Sequence, residues 1–209
     1  MAIKGRDFAI GLGMAGVVWT AAFRGRSHFW QKMAAGVGTM GAFAVLVNPE
    51  LRSEENRPRI RDLGVGLATA ALLYGVFRAG DRFARRVMPT GAADIADVYE
   101  RRKMAPRWFI APALALMIAP GEELFWRGLV NGYLMQRLGR VTGSAVGAFI
   151  YGGIHLVTGN LTLTGAAGIA GAFWSLQYLF EGRLPSAIVS HIAWDVWIFL
   201  VQPTVELED

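Results

Sequence analysis

The chain contains no cysteine among its 209 residues, and only three histidines. The first absence excludes thiol nucleophiles, disulfides, thiolate zinc sites and iron–sulfur clusters. Charge is also missing from long stretches. Segments 8–23, 33–49, 63–77, 108–121 and 141–180 contain no Asp, Glu, Lys or Arg, and Asp195 alone interrupts 184–205. A soluble domain of this size rarely keeps so many long runs free of charge. The pattern predicts an all-α, polytopic transmembrane helical bundle of about seven spans. With 54% apolar residues, intrinsic disorder is excluded. The net charge is +5, but Lys and Arg flank the apolar runs instead of forming a patch on a soluble fold, so no nucleic-acid partner is expected.

A helix needs about 20 apolar residues to cross the hydrocarbon core. The first three runs are slightly short, and snorkelling Arg and Lys with Trp19 and Trp30 at the interface make up the difference. Spans are expected near 7–24, 31–48 and 62–79, with Asn48-Pro49 as a stop. Residues 80–107 then form a polar connection, with a short interfacial helix over 92–103. A fourth span runs from about Trp108 past Pro120 to Leu138. The 141–180 run is too long for one span, and Gly159-Asn160 divides it into 141–158 and 161–180. Glu181-Gly182-Arg183 is the next break, and the last span is 184–201. This divides the chain into an N-terminal part (1–107) and a catalytic core (108–209). Lys4 and Arg6 precede an apolar run as in a signal peptide, but no small-residue cleavage site follows, so a retained helix is expected. The basic 78–107 segment favours a cytoplasmic loop. The acidic tail Glu206, Glu208, Asp209 is expected to fray.

Two motif matches carry little. Residues 11–16 read Gly-Leu-Gly-Met-Ala-Gly, a formal dinucleotide fingerprint, but the strand and the acidic residue that it requires are missing. Glycines at such spacing, like Gly165, Gly168 and Gly171, serve close helix packing. Asn160-Leu161-Thr162 is a glycosylation sequon by pattern only.

The informative residues are polar ones inside apolar runs, where a charge costs about 2.5–3.5 kcal/mol on insertion scales. In Gly121-Glu122-Glu123-Leu124-Phe125-Trp126-Arg127, Glu123 and Arg127 lie four apart and pair on one helix face. Glu122 projects about 100° away and stays free. His155 stands on an otherwise uncharged helix, one turn after Tyr151. His191 and Asp195 lie one turn apart on the last helix, so that the carboxylate can orient or charge the imidazole. One free Glu, two His and one Asp suit the activation of water. Glu122 takes the proton, His155 helps to position the water, and His191 donates to the oxyanion of an attacked carbonyl.

At these residues the sequence resembles the CAAX protease and bacteriocin-processing family, also called Abi proteins, whose eukaryotic relatives are the type II CAAX prenyl endopeptidases. The family pattern is Glu-Glu-x-x-x-Arg, then Phe-x-x-x-His, then His-x-x-x-Asn or Asp, on separate transmembrane helices. Its counterparts here are Glu122-Glu123-Leu124-Phe125-Trp126-Arg127, Tyr151-Gly152-Gly153-Ile154-His155 and His191-Ile192-Ala193-Trp194-Asp195. The resemblance covers about residues 108–201. It implies a glutamic-type intramembrane endopeptidase that works without metal or other cofactor on a protein or peptide substrate at the lipid bilayer. The compact chain itself is read as bacterial in style, a multi-pass protein of the plasma membrane. By analogy Glu122 is the general base, His155 assists the water, His191 and Asp195 stabilise the oxyanion, and Glu123 with Arg127 supports the site. Tyr151 departs from the family's Phe and adds a hydroxyl. Asp195 stands where the eukaryotic enzymes have Asn. Ionised, it would repel an oxyanion, so it is either protonated or serves to hold His191 as a cation, and the second reading is preferred. Alternative readings are a zinc-dependent membrane metalloprotease, a non-catalytic scaffold or bacteriocin-immunity protein, and a proton relay or transporter. Prenylated tails, bacteriocin-like leaders and C-terminal anchors are all open as substrates, as is the oligomeric state.

Overall fold

The computed structural model describes residues 2–25 and 27–203; the expected fraying of the acidic tail falls outside them. Among the described residues there are eight helices and no strand. They are α1 (Gly5–Phe23), α2 (Phe29–Val47), α3 (Ile60–Val87), α4 (Gly91–Glu100), α5 (Arg107–Leu138), α6 (Arg140–Thr158), α7 (Leu161–Glu181) and α8 (Pro185–Val201). Three of them, α3, α5 and α6, are long and apolar enough to cross a membrane by length and composition. Large apolar side chains such as Val17, Leu46, Leu72, Leu116, Phe149 and Phe180 point outward on six different helices. A soluble surface of this kind would be an aggregation hazard, whereas acyl chains solvate it.

Local chemistry explains where the helices begin and end. Asp62 accepts the Arg59 N–H at 2.6 Å and opens α3, and the Asn160 side chain accepts the Leu163 N–H at 2.7 Å and opens α7. The breaks expected at Gly159 and Gly182 occur there, at φ of 71° and 69°, which a side chain would resist. Helix α3 is longer than the expected 62–79. Charge ends a membrane span but not a helix, and Arg85 pairs with Asp81 four residues earlier at 3.0 Å. The polar connection is therefore helical through Val87 and again over α4, which a turn at Arg101–Met104 joins to α5.

Two hydrophobic clusters form the interior. The larger joins α1, α2 and α5 with Tyr151 and Ala167, through Trp19, Trp30, Met40, Phe125 and Trp126. The smaller joins α3, α4, α7 and α8, through Leu73, Ile95, Tyr99, Trp174 and Trp194. Small residues set the crossings. A Cβ on Gly41 of α2 would lie 2.7 Å from the Gly121 Cα of α5, and one on Gly152 of α6 would lie 2.9 Å from the Gly168 Cα of α7. Gly168 and Gly171 pack closely as expected, the latter against Tyr151, while Gly165 has nothing near it. Of the 11–16 glycines, only Gly11 packs tightly, on Phe125 and Leu129. Trp19 and Trp30 are not interfacial anchors. Both are buried, because α1 and α2 turn those faces toward α5.

Candidate active site

Helix α5 does not keep α-helical geometry throughout. A π-helical segment at Ala113–Ile118 precedes one α turn, Ala119–Glu122, and a second π segment follows at Glu123–Asn131. Pro112 and Pro120 each lack an N–H and crowd the carbonyl four residues back, which widens the ladder. Glu122 and Glu123 stand at the α-to-π junction. His155 opens the 3₁₀ turn that ends α6, and His191 with Asp195 lies on α8.

All six residues expected at the site are buried. Arg127 donates to Glu123 Oε1 at 3.0 Å across the expected four-residue spacing. It also donates to the Gly171 carbonyl at 3.1 Å, and its guanidinium lies over the rings of Tyr151 and Trp174 at 4.8 and 5.4 Å. The same Glu123 oxygen lies 2.8 Å from His191 Nδ1. A carboxylate paired with arginine only accepts, so Nδ1 carries the proton. His191 Nε2 then faces Asp195 Oδ2 at 3.6 Å, too long for a hydrogen bond. Sequence spacing named Asp195 as the partner that orients His191. The closer hold comes from Glu123 on another helix, a long-range pairing that spacing along α8 does not reveal. Trp174 stacks on the His191 ring at 3.7 Å and donates its indole N–H to Ser190 at 3.2 Å.

Glu122 turns away from this pair, and Tyr151 donates its hydroxyl to Glu122 Oε2 at 2.7 Å. His155 has both ring nitrogens engaged. Its Nε2 lies 3.1 Å from the Trp19 indole nitrogen and its Nδ1 lies 2.9 Å from the Tyr151 carbonyl. An indole N–H only donates, so Nε2 accepts and the proton sits on Nδ1. A water approaching Nε2 competes with Trp19. Sequence reasoning missed Trp19, because a tryptophan in an apolar run gives no sign of which partner its N–H will meet.

Glu122, Tyr151, His155, His191 and Asp195 all line one cavity of about 450 Å³. It lies at the seam between the two hydrophobic clusters, and apolar residues of α2, α3, α4 and α7 make up most of its wall. Glu123 and Arg127 do not line it and brace the wall from behind. Among the described residues no three His, Asp or Glu groups could together hold a metal ion. The arrangement presents the carboxyl groups of Glu122 and Asp195 and the imidazoles of His155 and His191 to a shared apolar chamber.

Neither a curated protein nor a solved structure matches the chain. A family model does match, over residues 104–197, and it describes Rce1-like type II CAAX prenyl endopeptidases. The matched segment contains all three blocks, Glu122–Arg127, Tyr151–His155 and His191–Asp195, which came from sequence alone. Over residues 104–197, therefore, the chain is similar to the Rce1-like type II CAAX prenyl endopeptidases.

Proposed function

We propose that the protein is a multi-pass intramembrane endopeptidase of glutamic type, with about seven spans in a bacterial plasma membrane, acting on a membrane-associated protein or peptide. The observation that carries this reading is the single cavity shared by Glu122, His155, His191 and Asp195, which come from three different helices.

In this reading a water in the cavity attacks the scissile carbonyl carbon, and Glu122 takes its proton. The Tyr151 hydroxyl on Oε2 leaves Oε1 to meet the water. His191 enters as a cation, donating Nδ1–H to Glu123 and offering Nε2–H to the oxyanion, with Asp195 balancing its charge from 3.6 Å. Collapse of the tetrahedral intermediate breaks the C–N bond, and Glu122 returns the proton to the leaving amine. His155 assists the water when the Trp19 N–H turns away from Nε2. Glu123 and Arg127 act by positioning.

The test is Glu122→Gln in cells and in purified protein. The variant keeps size and hydrogen bonding but cannot accept the proton. The expected result is a loss of cleavage of about 100-fold or more, with uncleaved precursors accumulating for identification by mass spectrometry. A Glu122→Gln protein with the parent's cellular phenotype and precursor pattern would instead support a non-catalytic scaffold.

A further inference from the structure

The electrostatics of the cavity wall are asymmetric. Among the described residues, its carboxyl groups belong to Asp81, Glu122 and Asp195, and its one guanidinium belongs to Arg101. Asp81 lies on α3 and is matched by Arg85 at 3.0 Å. Arg101 begins the turn between α4 and α5 and is the cavity's basic residue among those described.

The turn and the side chain are held separately. The Trp30 indole donates to the Arg101 carbonyl at 2.7 Å, which fixes the backbone. The guanidinium lies 4.9 and 5.1 Å from the ring centres of Phe23 and Phe29, both cavity residues. Its charged partner is Asp97, at 3.1 Å from Nη2, and that carboxylate is 58% exposed while the Arg101 side chain is only 12% exposed. Arg101 Nε is buried with no partner among the described residues. Here a planar donor stands beside the apolar chamber against two aromatic rings, and its one charged partner sits on the exposed side of α4. A guanidinium in that setting matches a carboxylate in fork geometry.

We propose that Arg101 is a carboxylate-binding subsite that orients the peptide in the cavity by an acidic group the peptide carries. The proposal builds on the endopeptidase reading. An anionic group is repelled by the Glu122 and Asp195 carboxylates and held by Arg101, so one orientation of the peptide is favoured. The guanidinium carbon is 4.9 Å from the Phe23 ring centre, which is 6.3 Å from that of His155. The two groups are therefore no more than about 11 Å apart, a span of a few extended residues at about 3.3–3.6 Å each. The carboxylate can be the α-carboxylate of a chain end or an Asp or Glu side chain, and the test separates them.

Binding is measured on the full-length chain in detergent micelles, carrying Glu122→Gln so that bound peptide is not consumed. The probe is a synthetic library of short apolar peptides in three forms: free C-terminal acid, C-terminal amide, and amide with one internal Glu. Retained peptides are read by mass spectrometry. The expected result is retention of the free acids or the Glu-bearing amides about tenfold above the plain amides, and which of the two is retained names the source. Adding Arg101→Gln should bring the ratio to about one, and Asp97→Asn, which frees the guanidinium, should raise it severalfold. Equal retention of all three forms by the parent overturns the subsite. So does a preference that survives Arg101→Gln, or one that Asp97→Asn leaves unchanged, which keeps the proposal testable if Arg101→Gln does not fold. Cleavage of the same library by the wild-type chain is scored separately. A preference that tracks Arg101 without any cleavage refutes the endopeptidase and keeps the subsite. Glu122-dependent cleavage indifferent to the carboxylate does the reverse.

Discussion

Three side chains separate the roles within the cavity. Tyr151 occupies the position where the family has Phe, and its hydroxyl reaches Glu122 at 2.7 Å. Tyr151→Phe keeps the packing and removes that donor, so kcat should fall about tenfold with little change in KM, as for the loss of a charge-assisted hydrogen bond. Asp195 stands 3.6 Å from His191 Nε2. If it balances an imidazolium, Asp195→Asn should lower kcat about tenfold, and unchanged or higher activity would sink that role. Trp19 occupies the nitrogen that a water would use. Trp19→Phe keeps an aromatic ring against Trp126 and should raise kcat by about fivefold, the equivalent of one net hydrogen bond of about 1 kcal/mol. A fall in kcat would mean instead that the indole positions His155 for its work.

At the scale of elements, the site depends on irregular helix and on one buried ion pair at the far end. The α-to-π junction in α5 sets the directions of Glu122 and Glu123, which ordinary helical spacing estimates only roughly. At the opposite end of the bundle, Arg183 in the α7–α8 turn donates to Asp62 on α3 at 2.9 Å and to the Arg57 carbonyl at 2.8 Å. Both side chains are buried. This pair ties α3, which lines the cavity from Val76 to Ala84, to the start of α8, which carries His191. Asp62→Ala would leave the arginine buried and uncompensated, at a cost of about 3–5 kcal/mol. Thermal unfolding in detergent should show a much lower midpoint for Asp62→Ala, whereas Asp97→Asn, on the exposed face of α4, should unfold near the parent temperature.

For the molecule as a whole, the cavity is a property of the seam between two hydrophobic clusters. Neither cluster contains a complete wall. Phe29, Met33 and Ile118 come from one, and Ile95, Trp174 and Ile198 from the other. The N-terminal helices thus belong to the chamber, although the family match begins only at residue 104. An outward surface rich in Leu, Val and Phe predicts that alkaline carbonate washing leaves the chain in the membrane fraction and that only detergent releases it. Release by carbonate would contradict the multi-pass reading.

Much is legible in the amino-acid sequence alone, for physical reasons. Absence of charge over helix-length runs favours apolar helices, so the helical class follows from composition, and the breaks at Gly159 and Gly182 follow from the turn residues that punctuate the runs. The Glu123–Arg127 pair follows from helical spacing. Charge in apolar runs is costly enough that Glu122, His155, His191 and Asp195 stand out one by one. What tertiary structure alone decided is which groups meet. Glu123 reaches His191 across 68 residues, Trp19 caps His155 across 136, and Arg101 joins the cavity from a basic connection expected at the membrane interface. Periodicity describes one element at a time, and hydrogen-bond partners on different helices depend on crossing angles and small-residue contacts that no single stretch of sequence encodes.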